Sequence, residues 1–114
     1  MYESRIYILQ ITPNNYGFGE EIARFEMCGM AYNFTDIFTE TVSVDIYADD
    51  GNTVITEDKY GAPLRMTQIE NLIEWLNKEI AIDDYRRLKP LLAFCEAVRA
   101  EEWDGELFAV HYGY

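Results

Sequence analysis

Acidic side chains outnumber every other group in this chain that could do chemistry, and they are dense in residues 48–58, ADDGNTVITED, which hold four acids and no base. Carboxylates at alternate positions around a glycine could bind calcium, as in an EF-hand loop. The EF-hand pattern D-x-[DN]-x-[DN]-G is absent, however, and Val54 and Ile55 are typical of a strand. We therefore predict no metal site here. The stretch favours a β-hairpin turn at Asp50-Gly51, because glycine accepts the positive φ of a tight turn.

The remaining candidates for catalysis are few. His111 is the only histidine, and it has no cysteine or aspartate at a ligand spacing, which is typical of a structural or surface residue. Cys28 and Cys95 form no CxxC pair, and the chain has neither a glycine-rich phosphate loop nor a nucleophile elbow. No carboxylate pair stands out for hydrolysis. We therefore predict no catalytic residues, no cofactor and no enzymatic activity.

The acids are unevenly distributed along the chain. From Phe25 to Asp58 there are eight acids and no Lys or Arg. A segment with one sign of charge produces a directional field and costs stability through self-repulsion. Two explanations fit: charge that keeps the protein soluble, or docking onto a basic surface such as a DNA-binding groove. If the segment docks, the predicted partner-binding residues are Asp45, Tyr47, Asp49, Asp50, Glu57, Asp58 and Tyr60. Tyr47 and Tyr60 would be the aromatic anchors.

Two smaller charged groups give further alternatives. Arg86, Arg87 and Lys89 either pair with neighbouring acids or form an anion site, and an anion site would suit a binder of a cyclic-nucleotide signal. The acids in residues 101–106 oppose the dipole at a helix C-terminus, although Trp103 there could simply pack. A third alternative is a housekeeping or assembly factor that forms a homodimer.

Hydrophobic periodicity predicts the strands that must position these residues. Short apolar or alternating segments predict strands at residues 6–11, 22–28, 41–48, 53–56 and 107–114. A helix over residues 20–31 is the alternative to the second strand, weakened by Gly29. In the third strand, Tyr47 is predicted to face away from the apolar side chains.

Two helices are predicted between the fourth and the last strand. Thr67 and Glu70 fit a capping box, and apolar residues at helical spacing follow it. A second helix is predicted from Asp83 or Asp84 to about Trp103, with Pro90 early in it and a glycine after it. This order predicts an α+β fold in a single domain, residues 1–114: an antiparallel sheet of four to five strands with two helices packed on one face.

Composition limits the classes of partner. The net charge is −12 and hydrophobic residues make up 49% of the chain, so the protein is predicted to fold, to repel nucleic acid and anionic membranes, and to attract basic protein surfaces. The first residues, MYESR, do not resemble a signal peptide, and no apolar run approaches the ~20 residues of a membrane span. We therefore expect a cytoplasmic protein with reduced thiols.

Several segments carry a resemblance to a known group of proteins. MYESRIYI, YADDGNTVITEDKYG, DDYRRLKPLLAF and VHYGY resemble a family of small acidic proteins from bacterial prophages and mobile elements, over most of the chain. The resemblance transfers no catalytic residues. It implies an intracellular protein made by a phage in a bacterial host, similar to inhibitors of host defence that include anti-CRISPR proteins and DNA mimics. The leading hypothesis is therefore a non-enzymatic inhibitor that occupies a basic nucleic-acid-binding surface, such as that of a CRISPR effector.

Overall fold

The structure contains seven strands and two helices in its described part. The computed structural model describes residues 3–11, 19–28, 37–42, 46–47, 50–57, 61–83, 88–103 and 105–113. Its elements are β1 (Glu3–Ile11), β2 (Gly19–Cys28), β3 (Glu40–Thr41), β4 (Ile46–Tyr47), β5 (Val54–Ile55), β6 (Arg65–Gln68), α1 (Ile69–Asp83), α2 (Lys89–Ala100) and β7 (Glu106–Gly113).

Five of the strands form one antiparallel sheet in the order β2-β1-β7-β6-β3. The longest ladders join β1 to β2 and β1 to β7, and β7 lies at the centre of the sheet. The other two strands, β4 and β5, form a separate antiparallel hairpin. Because side chains alternate between the faces of a strand, β1 supplies both faces of the large sheet.

One face of the large sheet packs against both helices. Ile6 and Ile8 of β1 and Ala109 of β7 are fully buried in this layer. The helices contribute side chains at the spacing of a helical stripe, which turns one face of each toward the sheet. These buried helix residues are Ile69, Leu72, Ile73 and Leu76 of α1 and Leu91 and Cys95 of α2.

The opposite face of the sheet packs against the β4–β5 hairpin. Tyr7 and Leu9, which alternate with the helix-facing residues of β1, are buried here with Val110 of β7. The hairpin contributes Ile46, which is fully buried, and Ile55, which is partly buried. The sheet is therefore covered by helices on one side and by a small hairpin on the other.

The predicted fold class is confirmed: the protein is α+β, with an antiparallel five-stranded sheet and both helices on one face. Residues 22–28 form a strand paired with β1, so the helical alternative is wrong. The predicted hairpin at Asp50-Gly51 is also confirmed, since β4 and β5 pair on either side of it.

The predicted strand over residues 41–48 is wrong as a single element. Residues 40–41 pair with β6 in the large sheet, whereas residues 46–47 pair with β5 in the hairpin. The alternation still describes the faces correctly, because Val42 and Ile46 pack into the same core and Tyr47 is exposed. Asp45 and its neighbours at 43–44 lie outside the described residues.

The start of α1 and both ends of α2 also differ from the prediction. Thr67 belongs to β6, and its hydroxyl accepts a hydrogen bond from the Asn71 side-chain amide at 3.2 Å, so the capping box is wrong. The helix α2 begins at Lys89 because proline is favoured in the first turn of a helix and excluded from its interior. It ends at Ala100 rather than Trp103, because Glu101 is extended with φ −74° and ψ 157°.

Candidate functional site

The β4–β5 hairpin presents an apolar pair to solvent. Tyr47 lies opposite Val54 in the ladder, and Ile46 lies opposite Ile55. Since side chains alternate, the isoleucine pair faces the sheet and the other pair faces outward. Tyr47 is 42% exposed and Val54 is 41% exposed. The outer face of the hairpin therefore has an aromatic and a β-branched side chain at its centre.

The Asp50 carboxylate builds the turn that joins the two strands. Its Oδ1 accepts hydrogen bonds from the backbone N–H groups of Asn52 at 2.8 Å and Thr53 at 2.9 Å. Its Oδ2 accepts one from the Thr53 hydroxyl at 2.6 Å. Gly51 has φ +74°, the left-handed conformation that glycine adopts without strain. The turn is therefore specified by Asp50 and Gly51 together.

These hydrogen bonds also fix the charge of Asp50. The Thr53 hydroxyl, followed by the backbone N–H groups of Thr53 and Asn52, lowers the pKa of the Asp50 carboxyl from 3.8 to about 2. Hydrogen bonds to a carboxylate favour its ionised form. Asp50 therefore keeps a negative charge throughout the physiological range, on a side chain that lies in the solvent.

The far end of the hairpin is held by the segment that leads into β6. The backbone N–H of Leu64 donates to the carbonyl oxygen of Thr56 at 3.1 Å, and Glu57 forms an antiparallel bridge with Pro63. Gly61, with φ +83°, lies between Glu57 and Pro63 in the chain. The exposed side chain of Glu57 therefore lies on a backbone that is paired with the segment leading into β6.

The Arg24 guanidinium joins the hairpin to the large sheet. It forms an ion pair with the Glu21 carboxylate through two nitrogens, of which Nη2 is 2.9 Å from Oε2. The same Nη2 donates to the backbone carbonyl of Tyr47 at 3.0 Å. The guanidinium carbon lies 4.9 Å from the centre of the Tyr7 ring, a cation–π contact. One side chain of β2 thus contacts β1, β4 and its own strand.

An irregularity in β2 makes this arrangement possible. Tyr7 pairs with Arg24 and Ile8 with Ala23, but Leu9 pairs with Glu21, so Ile22 is an extra residue. Such a β-bulge reverses the alternation of faces beyond it. Glu21 and Arg24 are an odd number of positions apart and would otherwise lie on opposite faces. The bulge brings both to the hairpin side of the sheet.

Three of the predicted partner-binding residues lie on the hairpin or shortly after it: Tyr47 in β4, Asp50 in the turn and Glu57 two positions after β5. Four of the eight acids in the base-free run lie in the described part of the chain, and each is exposed; these are Glu26, Glu40, Asp50 and Glu57. Asp45, Asp49, Asp58 and Tyr60 lie outside the described residues.

The predicted anion site is only partly described. Lys89 is an exposed residue at the start of α2, and Arg86 and Arg87 lie outside the described residues. Neither of two shallow clefts that the structure forms elsewhere includes Lys89. One, of about 320 Å³, lies between Trp103 and the end of the sheet near Gln68, and the other, of about 270 Å³, borders α1 at Trp75.

Sequence reasoning missed two residues of the hairpin site. Val54 was assigned only to a strand, although its exposure follows from the alternation that also places Tyr47 outside. Arg24 was not considered as a partner of the hairpin at all. Its position carries a signal, because Arg24 is the last basic residue before the run of eight acids.

The other reactive side chains have structural surroundings. His111 is half-buried, with its ring 5.9 Å from that of Phe38. Burial, and then the nearby Glu96 carboxylate, raise the pKa of the Cys95 thiol to about 12, so this thiol is protonated and unreactive at neutral pH. Within the described ranges, no three His, Cys, Asp or Glu side chains are grouped as metal ligands.

Trp103 has a structural role at the end of α2. Its indole Nε1 donates to the carbonyl oxygen of Val98 at 2.7 Å, and the backbone N–H of Glu101 donates to the same oxygen at 3.2 Å. The carbonyl groups of a last helical turn otherwise lack partners. The indole hydrogen bond therefore accounts for a tryptophan in this acidic segment, where 37% of it is exposed.

The fold and the hairpin define a small α+β domain with an exposed, acidic hairpin. Comparison of the chain with protein-family models, with curated proteins and with solved structures gives no match. The similarity to prophage proteins stays a prediction from the sequence. In the part of the chain that the structure describes, neither helix has the length and apolarity to cross a bilayer.

Proposed function

We propose that this protein is a non-enzymatic, phage-type inhibitor of a bacterial defence system and acts in the host cytoplasm. Its β4–β5 hairpin docks onto a basic nucleic-acid-binding surface of a host protein, such as a CRISPR effector, and occupies it as a DNA mimic would. The observation that carries this proposal is the exposed Tyr47–Val54 pair in a run that contains eight acids and no Lys or Arg.

The chemistry of the outer face suits a protein partner better than a small ion. Interfaces combine an apolar, often aromatic centre with a polar rim. Tyr47 and Val54 would supply such a centre, and the exposed carboxylates of Asp50 in the turn and Glu57 after β5 are available as rim charges. The net charge of −12 would accelerate encounter with a basic surface at low ionic strength.

Ionisation and turn structure at Asp50 complicate a simple charge-reversal test. Replacing Asp50 with lysine would remove both the charge and the hydrogen bonds that shape the turn. Asp50→Asn keeps a side-chain oxygen acceptor for the two backbone N–H groups and removes the charge together with the acceptor of the Thr53 hydroxyl. Neutralisation therefore preserves more of the turn than charge reversal does, and it is the better test of how charge contributes to binding.

The test compares two triple variants with equal net charge. The hairpin variant carries Asp50→Asn and Glu57→Gln together with Glu40→Gln in β3, a third exposed acid of the base-free run. The control carries Glu70→Gln, Glu96→Gln and Glu102→Gln, exposed positions on the helices or just after them. Each variant reduces the net negative charge of the protein from −12 to −9. The assay measures displacement of a labelled DNA duplex from a purified guide-loaded CRISPR effector, at low and at high salt.

We expect the wild-type protein and the control to displace DNA at low salt, less so at high salt. The hairpin variant should be about tenfold weaker, since the loss of three charge pairs of ~0.5 kcal/mol each, one for every neutralised acid, amounts to a factor of ten. Equal weakening of both variants would mean that overall charge, not the hairpin, mediates binding. No displacement by the wild-type protein would refute inhibition of this class of effector.

The nucleotide-binding alternative is tested in parallel. Lys89 is its only described candidate residue, so nothing in the described part of the chain favours it over the hairpin. A ligand that binds the folded state raises its melting temperature. Thermal stabilisation by a cyclic dinucleotide, lost in Lys89→Gln and kept in the hairpin variant, would replace the present proposal.

A further inference from the structure

The contacts of Arg24 assign it a role beyond its own strand. Its guanidinium donates to the Tyr47 carbonyl oxygen at 3.0 Å, pairs with the Glu21 carboxylate and lies 4.9 Å from the Tyr7 ring centre. Arg24 and Tyr7 are directly opposite in the β1–β2 ladder, so their side chains share the face that the hairpin covers. Contacts within the sheet therefore hold the Arg24 guanidinium in position for its hydrogen bond to the hairpin.

The hairpin needs such an attachment because its own ladder is minimal. Among the described residues, two pairs join β4 to β5, and a two-stranded hairpin is marginally stable by itself in water. Of the hairpin residues that the structure describes, Ile46 is the one that is fully buried. A charged donor on a backbone carbonyl forms one of the stronger hydrogen bonds available to a protein.

The bond to Tyr47 also leaves the outer face of the hairpin available. Arg24 contacts the backbone oxygen of Tyr47 and not its ring, which stays 42% exposed. The positive charge is paired with Glu21, whose side chain is only 17% exposed. Arg24 thus fixes the position of an acidic surface without presenting a free positive charge on it.

We propose that Arg24 is the positioning residue of the hairpin: it holds β4 against the sheet, so that affinity for a basic partner depends on a cation that never contacts this partner. Only the second half of this inference, that affinity for a partner depends on Arg24, rests on the proposed function. The first half, that Arg24 restrains the hairpin, concerns the free protein.

A substitution to lysine separates position from charge. Arg24→Lys leaves the net charge at −12. Lysine retains a point charge but lacks the planar fork that contacts a carboxylate, a carbonyl and a ring at once. If charge alone governed binding, Arg24→Lys would change nothing, and Arg24→Gln, which makes the protein more acidic, would strengthen binding. Positioning by Arg24 predicts weaker binding for both variants.

The matched control is Arg99→Lys, an exposed position on α2 in the layer on the opposite face of the sheet. The first experiment uses the free protein and measures amide hydrogen exchange in residues 46–57. We expect exchange there to be about tenfold faster in Arg24→Lys, the factor for ~1.4 kcal/mol of lost restraint. Amides of β1 and β7 should keep wild-type rates, and Arg99→Lys should match the wild type throughout.

The second experiment repeats the DNA-displacement assay with the same guide-loaded effector and the same variants. We expect both Arg24 variants to be several-fold weaker and Arg99→Lys to be unchanged. Wild-type exchange in the hairpin of Arg24→Lys, or stronger binding by Arg24→Gln, would overturn the inference. If the wild-type protein does not bind, the proposed function and the role of Arg24 in binding fail, and hydrogen exchange alone decides whether Arg24 restrains the hairpin.

Discussion

The packing of the hairpin on the sheet leads to a prediction about stability at Ile46. Ile46 is fully buried against the face that contains Tyr7, Leu9 and Val110. Ile46→Ala removes three carbons, which corresponds to ~2.4 kcal/mol of lost burial at ~0.8 kcal/mol each. A residual cavity adds to this cost, so we expect the free energy of unfolding to fall by ~2.5–4 kcal/mol.

The matched control is Val54→Ala on the outer face of the same hairpin. Val54 is 41% exposed, so this variant should change the free energy of unfolding by no more than ~0.5 kcal/mol. Urea unfolding followed by circular dichroism measures both variants. Equal losses, or a loss at Ile46 below ~1 kcal/mol, would show that the hairpin does not contribute a buried side chain to this core.

Three further predictions follow from the turn and the helix end. Asp50 should titrate by NMR with a pKa of about 2. Because this pKa is below the usual 3.8, ionised Asp50 contributes fully to stability above pH 3.8, and this contribution is lost as the pH falls toward 2. The same pH dependence should be absent in Asp50→Asn. Gly51→Ala should cost ~1 kcal/mol in urea unfolding from its φ of +74° alone, since a Cβ there meets no atom within 4 Å, and Gly51→Asn should cost less. Trp103→Phe removes the indole hydrogen bond to Val98 and should lower the melting temperature, with a cost near ~0.5 kcal/mol because the N–H of Glu101 still bonds the same oxygen. Unchanged stability would contradict the last prediction.

Local pattern was sufficient to predict the fold class and much of the hairpin. Alternation predicted the inward Ile46 and the outward Tyr47, and Asp50-Gly51 predicted the turn between β4 and β5. The buried stripe of α1 also followed from its spacing. In each case the deciding information lies within a few residues of chain.

Features decided by distant partners were not predictable in the same way. The strand β6, Arg65–Gln68, has a sequence RMTQ with little β character, and its place in the sheet comes from pairing with β7. The change of sheet between residues 41 and 46 likewise depends on two partners distant in sequence, since β6 pairs with residues 40–41 and β5 with residues 46–47. The contact of Arg24 with Tyr47 spans 23 positions, and no pattern in β2 reveals the bulge that brings Glu21 to the same face as Arg24.

The position of β7 has a consequence for how the sheet assembles. In chain order β7 is the last of the described strands, yet it lies between β1 and β6. Until β7 inserts, the β1–β2 pair and the β6–β3 pair are separate pieces with open edges. Contacts between strands so far apart in sequence form slowly, and open edges invite pairing with other chains. A chain interrupted within residues 106–113 would therefore lose the join between the two halves, and its exposed edges would favour aggregation over a smaller stable fold.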